Sequence, residues 1–324
     1  MPAPAGHHGR DDGPEVVVLC GGVGGARMAA GLAAVLPDPG RLAVVVNTAD
    51  DDEFYGLHVS PDVDTVLYTL AGWANPQTGW GIAGDTGGFL SAMDRLGEPS
   101  WFFLGDRDLA THVLRTWWLR SGLTLSQVTA RLGQRLGVRP RVLPMSDDPV
   151  RTRVRVRLEG QERELPFQEY FVRYRARPPV VGVRFEGLER ARPAPGVLQA
   201  LSGAQVVVIA PSNPVVSVGP ILGLPGVREA MAARRRRIAV SPLVAGRAFK
   251  GPAATMMAGL GLRPDAAGVA ELYRGLLDVF VLDPADEGLV PLIEAMGIRT
   301  VVTPIAMPEE PDRRRLALSV LEAA

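Results

Sequence analysis

Short runs of apolar, mostly β-branched residues recur along the chain with almost no polar position inside them. EVVVLC (15–20), RLAVVVN (41–47), AQVVVIA (204–210), RRIAVSP (236–242), LLDVFVLDP (276–284) and RTVVTPI (299–305) all read this way. A strand with no polar face is covered on both sides, the condition of a parallel sheet wrapped in helices. After the first run, GGVGGARMAAGLAAVL (21–36) reads as a glycine-rich turn opening a helix, and the next strand follows at once. This β–turn–α–β opening predicts an α/β protein. The runs at both ends belong to one Rossmann-like, mainly parallel sheet with helices on both faces. Residues 15–105 supply its first part and 196–324 its second.

The stretch between, 106–195, changes period and reads as an inserted helical and small antiparallel β subdomain. RDLATHVLRTWWLRSGL and TLSQVTARLGQRLG space their apolar positions three and four apart, as amphipathic helices do. Thr124 and Gln127 stand where an N-cap and its capping partner would. RTRVRVRLEG (151–160) alternates Arg with apolar residues, a period of two. RELPFQEYFVRYRA and VVGVRFEG are expected to continue in short strands, with the arginines on a solvated face. Arg234 to Arg237 read as surface. The ending DRRRLALSVLEAA predicts a terminal helix.

Composition narrows the function. Thirty-five basic and 35 acidic residues cancel in a 324-residue chain, leaving no overall field for nucleic acid or an anionic membrane. One cysteine, Cys20, permits no intrachain disulfide and no thiolate zinc site. Two of the four histidines, His7 and His8, fall in a polar, Pro- and Gly-rich stretch (1–14) that reads as a disordered tail. The expectation is a cytoplasmic protein that does not bind membranes.

Four stretches carry chemistry. In LCGGVGGAR, Gly21, Gly22, Gly24 and Gly25 let backbone approach a ligand, and the helix N-terminus behind them suits a phosphate or diphosphate. The Lys-Ser/Thr ending of a Walker A loop is missing. Asp50, Asp51, Asp52 and Glu53 follow the second strand on the same predicted sheet edge, and Asp62 and Asp64 lie a short loop away. Carboxylates beside a phosphate site make sense if a divalent cation lies between; Mg²⁺ is held by one or two carboxylates plus phosphate oxygens and waters. Asp52 and Glu53 read as solvated, and Asp62 as a cap for its own helix. APSNPVVSVGP places Ser212 and Asn213 between stiffening prolines, and SPLVAGRAFKG repeats the design with Lys250. GWGIAGDTGGF and WFFLGDRDLATH mix Gly, Asp and Thr with aromatics, suiting a planar ring with a hydroxylated chain.

Together CGGVGGAR, VVNTADD, HVSPDVDTVLYTLAG, GWGIAGDT, WFFLGDRDLATH, LSQVT, FQEYFVRYRA, APSNPVVSVGPIL, SPLVAGRAFKG and the ending resemble the 2-phospho-L-lactate transferase family of coenzyme F420 biosynthesis, from about residue 15 onward. Its actinobacterial, phosphoenolpyruvate-transferring members are the more similar. The resemblance implies a guanosine diphosphate donor carrying enolpyruvate or lactate, the deazaflavin Fo as acceptor, GMP as product, Mg²⁺ as cofactor and a homodimer. It also implies handover of the donor from the guanylyltransferase that makes it. It implies that Asp50 and Asp64, with Asp51 and Asp62 next, contact the metal, one carboxylate serving as base. Gly21 to Gly25, Ser212 and Asn213 would hold the guanosine diphosphate, while Asp85, Thr86 and GDRD would face the deazaflavin. Ala49 replaces a glycine usual in the family, and GDTGG a more common aromatic-containing run. A sister family of sugar-nucleotide-binding regulators shares the sheet and the glycine loop but lacks the FQEYFVRYRA, GWG and GDRD motifs. A transferase with another acceptor is the third reading.

Overall fold

The computed structural model describes residues 13–324. The tail read over 1–14 lies outside the described residues except for Gly13 and Pro14, and Pro14 is buried. Seven strands form one parallel sheet: β1 (Val16–Cys20), β2 (Leu42–Val46), β3 (Arg141–Pro144), β4 (Val206–Ile209), β5 (Arg237–Val240), β6 (Val279–Leu282) and β7 (Arg299–Val302). Their order is β7-β6-β5-β4-β1-β2-β3. β1 is central and in step with both neighbours: Val17 lies opposite Ala43 on one side and Val207 on the other.

Each apolar run but that of the edge strand β7 divides its residues between two cores, as a strand covered on both faces must. Val17, Leu19, Ala43 and Val45 pack into one with Val197, Leu201 and Val269. Val16, Val18, Leu42 and Val44 pack into the other with Met28 and Leu32 of α1 (Gly22–Val35), Val63 of α2 (Pro61–Leu70) and Leu316 of the terminal helix Glu310–Glu322. Strand order reverses between β1 and β4, so the loops leaving their carboxyl ends splay apart. Such a switch point is where open α/β sheets bind ligands.

The segment 106–195 departs from the sequence reading in two places. β3 falls inside it yet pairs with β2 as the edge of the main sheet. RVLP is no apolar run, since Arg141 is exposed and Pro144 lacks an N–H, and only an edge position tolerates that proline. FQEYFVR is helical rather than extended: a π-helical turn covers Glu169–Arg173. Phe167 and Phe171, four apart, stack with centroids 5.6 Å apart, the spacing of a helix face. The remainder matches. Strand Arg151–Leu158 is central in an antiparallel three-stranded sheet with Gln161–Pro166 and Val180–Glu186. Its valines face Tyr170 and Met256, while its arginines form cross-strand pairs in solvent, Arg153 with Glu186 at 2.8 Å. Helices α3 (Gly88–Arg95), α4 (Asp108–Arg120) and α5 (Leu125–Arg135) complete the wall beside α2, α5 opening on the predicted Thr124–Gln127 capping box. No helix among the described residues is long and apolar enough to cross a membrane.

Candidate active site

A cavity of about 700 Å³ opens at the switch point. Gly21, Gly22 and Gly24 line it from the turn after β1, and Ser212 and Asn213 from the loop after β4. The two loops are latched together. Ser212 Oγ accepts from Gly21 N–H at 3.1 Å and donates to the Gly21 carbonyl at 2.8 Å. Asn213 Oδ1 accepts from the N–H groups of Val215 and Val216, capping the turn Pro214–Val218. Close packing explains two of the glycines: a Cβ at Gly24 would overlap the Pro211 carbonyl, and one at Gly25 would overlap Cys20 and Ser212. Gly25 itself is buried behind the cavity wall.

Asn47, at the end of β2, organises the first acid nest. Its Nδ2 donates to Asp50 Oδ2 and to Asp62 Oδ2, each at 3.0 Å, bridging two carboxylates from different elements. Asp62 does cap a helix, but not its own. Its Oδ1 accepts from Gly22 N–H at 2.8 Å, the first turn of α1, while Ser60 is the N-cap residue of α2. Asp62 thus occupies the helix N-terminus that the glycine pattern offers to a phosphate. Burial pushes the Asp62 carboxyl up to about 6, against the hydrogen bonds of Asn47 and Gly22. Burial, and then the charge of Asp62, also push the Asp50 carboxyl well above the usual range. Asp50 Oδ1 is buried without a well-formed hydrogen bond, near the Thr152 hydroxyl, which also goes unpaired. Two crowded carboxylates and an orphaned oxygen fit a cation that also takes ligand and water oxygens. Among the described residues no group of three or more Asp, Glu, His or Cys side chains forms a metal cage.

The other acids turn elsewhere. Asp51 accepts from Ser60 Oγ at 2.7 Å and lies 3.0 Å from His58 Nε2, outside the cavity lining. Asp64 lines the cavity, but Arg115 grips both its oxygens, Nη1 at 3.0 Å from Oδ2 and Nη2 on Oδ1. Arg115 is fully buried; burial would lower its pKa, and the Asp64 carboxylate outweighs that and holds it raised. Asp52 and Glu53 form a small exposed strand, as read. Ala49 is buried and does not occupy the positive-φ region, so the substitution for glycine strains nothing.

Arg27 and Lys250 enter the same cavity. Lys250 donates to the Thr78 carbonyl; burial, and then the nearby Arg27 charge, lower its pKa. Trp80, Phe103, Phe167 and Phe249 are among the aromatic wall residues. Asp85 and Thr86 do not line this cavity. Asp85 accepts from the N–H groups of Thr86, Arg107 and Asp108, tying its loop to the start of α4, and Thr86 donates to Asp106. Asp85 lines a second pocket, about 230 Å³, which shares Trp80, Phe103 and Asp108 with the first.

The sequence reading assigned no role to Asn47, Arg115, Gln168 or Tyr68. Gln168 donates to the Asp50 carbonyl at 3.0 Å. Asn47 was signalled by its place at the strand end, but a neutral amide bridging two acids shows only in three dimensions. Arg115 lies mid-helix between Leu114 and Thr116, with no local mark.

A family described as 2-phospho-L-lactate transferase CofD matches residues 16–301. A phosphoenolpyruvate transferase of Streptomyces griseus is 44% identical over 96% of this chain and 98% of its own. A 2-phospho-L-lactate transferase of Methanosarcina mazei is 37% identical over 95% of this chain and 100% of its own. Among solved structures, a upf0052-family protein from Bacillus halodurans shares the fold, with a TM-score of 0.65 and 17% identity over 95% of this chain and 99% of that one. With the described fold and cavity, these matches place the chain in the 2-phospho-L-lactate transferase family, and it is an enzyme of the transferase class.

Proposed function

We propose that this enzyme transfers a phosphoenolpyruvyl or 2-phospho-L-lactyl group from a guanosine diphosphate donor to the terminal ribityl hydroxyl of Fo, in the assembly of coenzyme F420. The observation that carries this reading is one cavity joining Arg27 and Lys250 to the Asp50–Asp62 nest and an aromatic wall. Anionic, metal-binding and planar groups of two substrates have complementary surfaces in a single space.

The hydroxyl oxygen bonds to the distal phosphorus, the bond from that phosphorus to the bridging oxygen breaks, and its electron pair leaves with GMP. The hydroxyl proton passes to a carboxylate or water. Such displacements are accelerated mainly by positioning and by neutralising charge. Arg27 and Lys250 bind the diphosphate. Ser212 and Asn213 fix the loop under the nucleotide, and Asn47 holds Asp50 and Asp62 at a common point. Those two residues would hold Mg²⁺, which when bound neutralises diphosphate charge and stabilises the leaving group. Asp64, committed to Arg115, holds α2 against α4 in this scheme.

Calorimetric titration of GDP with and without Mg²⁺, into wild type and Asp50→Asn, tests the site. Metal-dependent binding in the wild type, lost in the variant, is expected, followed by turnover of Fo with each donor. Equal binding without metal and in the variant would favour the regulator reading.

A further inference from the structure

A second buried network leads into the cavity away from the Asp50–Asp62 nest. Arg115 Nη1 lies 3.4 Å from His112 Nδ1. Nδ1 also lies 3.7 Å from Asp64 Oδ2, so the imidazole is packed between two acids. Nε2 faces Asp108 Oδ2 at 3.3 Å. Tyr68 donates its hydroxyl to the other oxygen, Oδ1, at 2.5 Å. The backbone N–H of Asp108 is fixed by Asp85 at 3.0 Å. Tyr68, His112 and Arg115 are each no more than 1% exposed, whereas the Asp108 side chain is 14% exposed. Tyr68 and His112 border the main cavity as well, but Asp108 is the more exposed member and alone of the three lines both the main cavity and the smaller pocket beside it. Burial works against its charge, but the neighbouring His112, then Tyr68 and Arg115, prevail, and its carboxyl is held below the usual range.

A carboxylate accepts about four hydrogen bonds, and the one from Tyr68 leaves capacity for more. A fixed negative charge repels phosphate and attracts neutral donors. Trp80 and Phe103, which share both pockets with Asp108, offer apolar surface beside it. We propose that Asp108 is a substrate-contacting residue that accepts hydrogen bonds from hydroxyls of the acceptor's polyol chain, with Tyr68 and His112 as its positioning residues. The identity of the acceptor rests on the transferase reading above, which turns GDRD toward it; the structure singles out Asp108 within that run, since Asp106 lines neither pocket.

The test is steady-state kinetics on the full chain, varying Fo at saturating donor and then the reverse. Asp108→Asn should raise the acceptor KM roughly ten- to a hundredfold, the loss of a hydrogen bond to a charged partner, with the donor KM changed less than about threefold. Tyr68→Phe, which removes one oxygen, should shift the acceptor KM in the same direction by about three- to tenfold, again without moving Mg²⁺-dependent GDP binding. A merely structural role would move both substrates together. An unchanged acceptor KM in an Asp108→Asn protein that still binds GDP overturns the proposal. If that variant does not fold, an unchanged acceptor KM in Tyr68→Phe does so instead. A wild type that neither binds nor turns over Fo would overturn the transferase reading itself, and with it the acceptor named here.

Discussion

Asp62 and Asp64 stand two residues apart on one helix, and they have opposite surroundings. Asp64 is gripped on both oxygens by a buried arginine. Asp62 has only neutral partners, an amide side chain and a backbone N–H, and shares the amide with a second buried acid. Burial raises the Asp64 carboxyl too, but its charge is matched by Arg115, which leaves little affinity for a further cation. A pair of carboxylates without a counter-charge is held against its own preference and retains free affinity for a cation. The difference separates the acid that braces the wall from the acids that face a ligand.

The comparison can be broken or sharpened by substitution. Asp50→Asn should lower kcat by at least about a thousandfold, roughly 4 kcal/mol of transition-state stabilisation, while far-UV circular dichroism is unchanged. Retention of activity within tenfold would mean that the orphaned oxygen has no catalytic use. Arg115→Met leaves Asp64 buried and uncompensated, and should cost roughly 3–5 kcal/mol in urea unfolding. Adding Asp64→Leu should recover most of that; no recovery would show that the pair does more than neutralise itself. Asp62 makes the opposite prediction. Its folded carboxyl titrates near 6 against 3.8 for the ordinary group, so the folded state holds its proton more tightly. Its stabilising contribution is full below 3.8 and is lost as pH rises through 6. Metal-free Asp62→Asn should therefore exceed wild type by about 1–2 kcal/mol at pH 8, with the gap closing toward pH 4. An equal gap at both pH values would refute the assignment. The smallest effect belongs to Arg153→Ala. Its partner Glu186 is 48% exposed, and unfolding should detect less than about 1 kcal/mol.

The main sheet was legible because burial on both faces leaves a periodicity-free apolar run that needs no partner to be recognised. The runs at 15–20, 41–47, 204–210, 236–242, 276–284 and 299–305 each contain a strand. β3 escaped because RVLP carries an arginine and a proline and only two apolar residues, whereas the other edge strand, β7, keeps a recognisable Val-Val pair. The turn at 169–173 escaped because its aromatic residues suit a strand as well as a helix, and packing of Phe167 on Phe171 decides between them.

The candidate site divides along the same line. Residue order alone put glycines, acids and the Ser-Asn loop at strand ends, because a parallel sheet exposes its carboxyl ends on one edge. It set Asp52 and Glu53 aside as solvated, and the family resemblance put Asp50 and Asp64 ahead of Asp51 and Asp62. Only the tertiary structure sent Asp51 to Ser60 and His58, gave Asp64 to Arg115 and left Asp50 and Asp62 on one amide. It also turned Asp85 and Thr86 into braces for their own loop. A carboxylate's role is set by which charges and donors lie within about 4 Å of it, where electrostatic coupling is strong. For Asp64 that partner lies 51 residues away in sequence, a separation that no local pattern encodes.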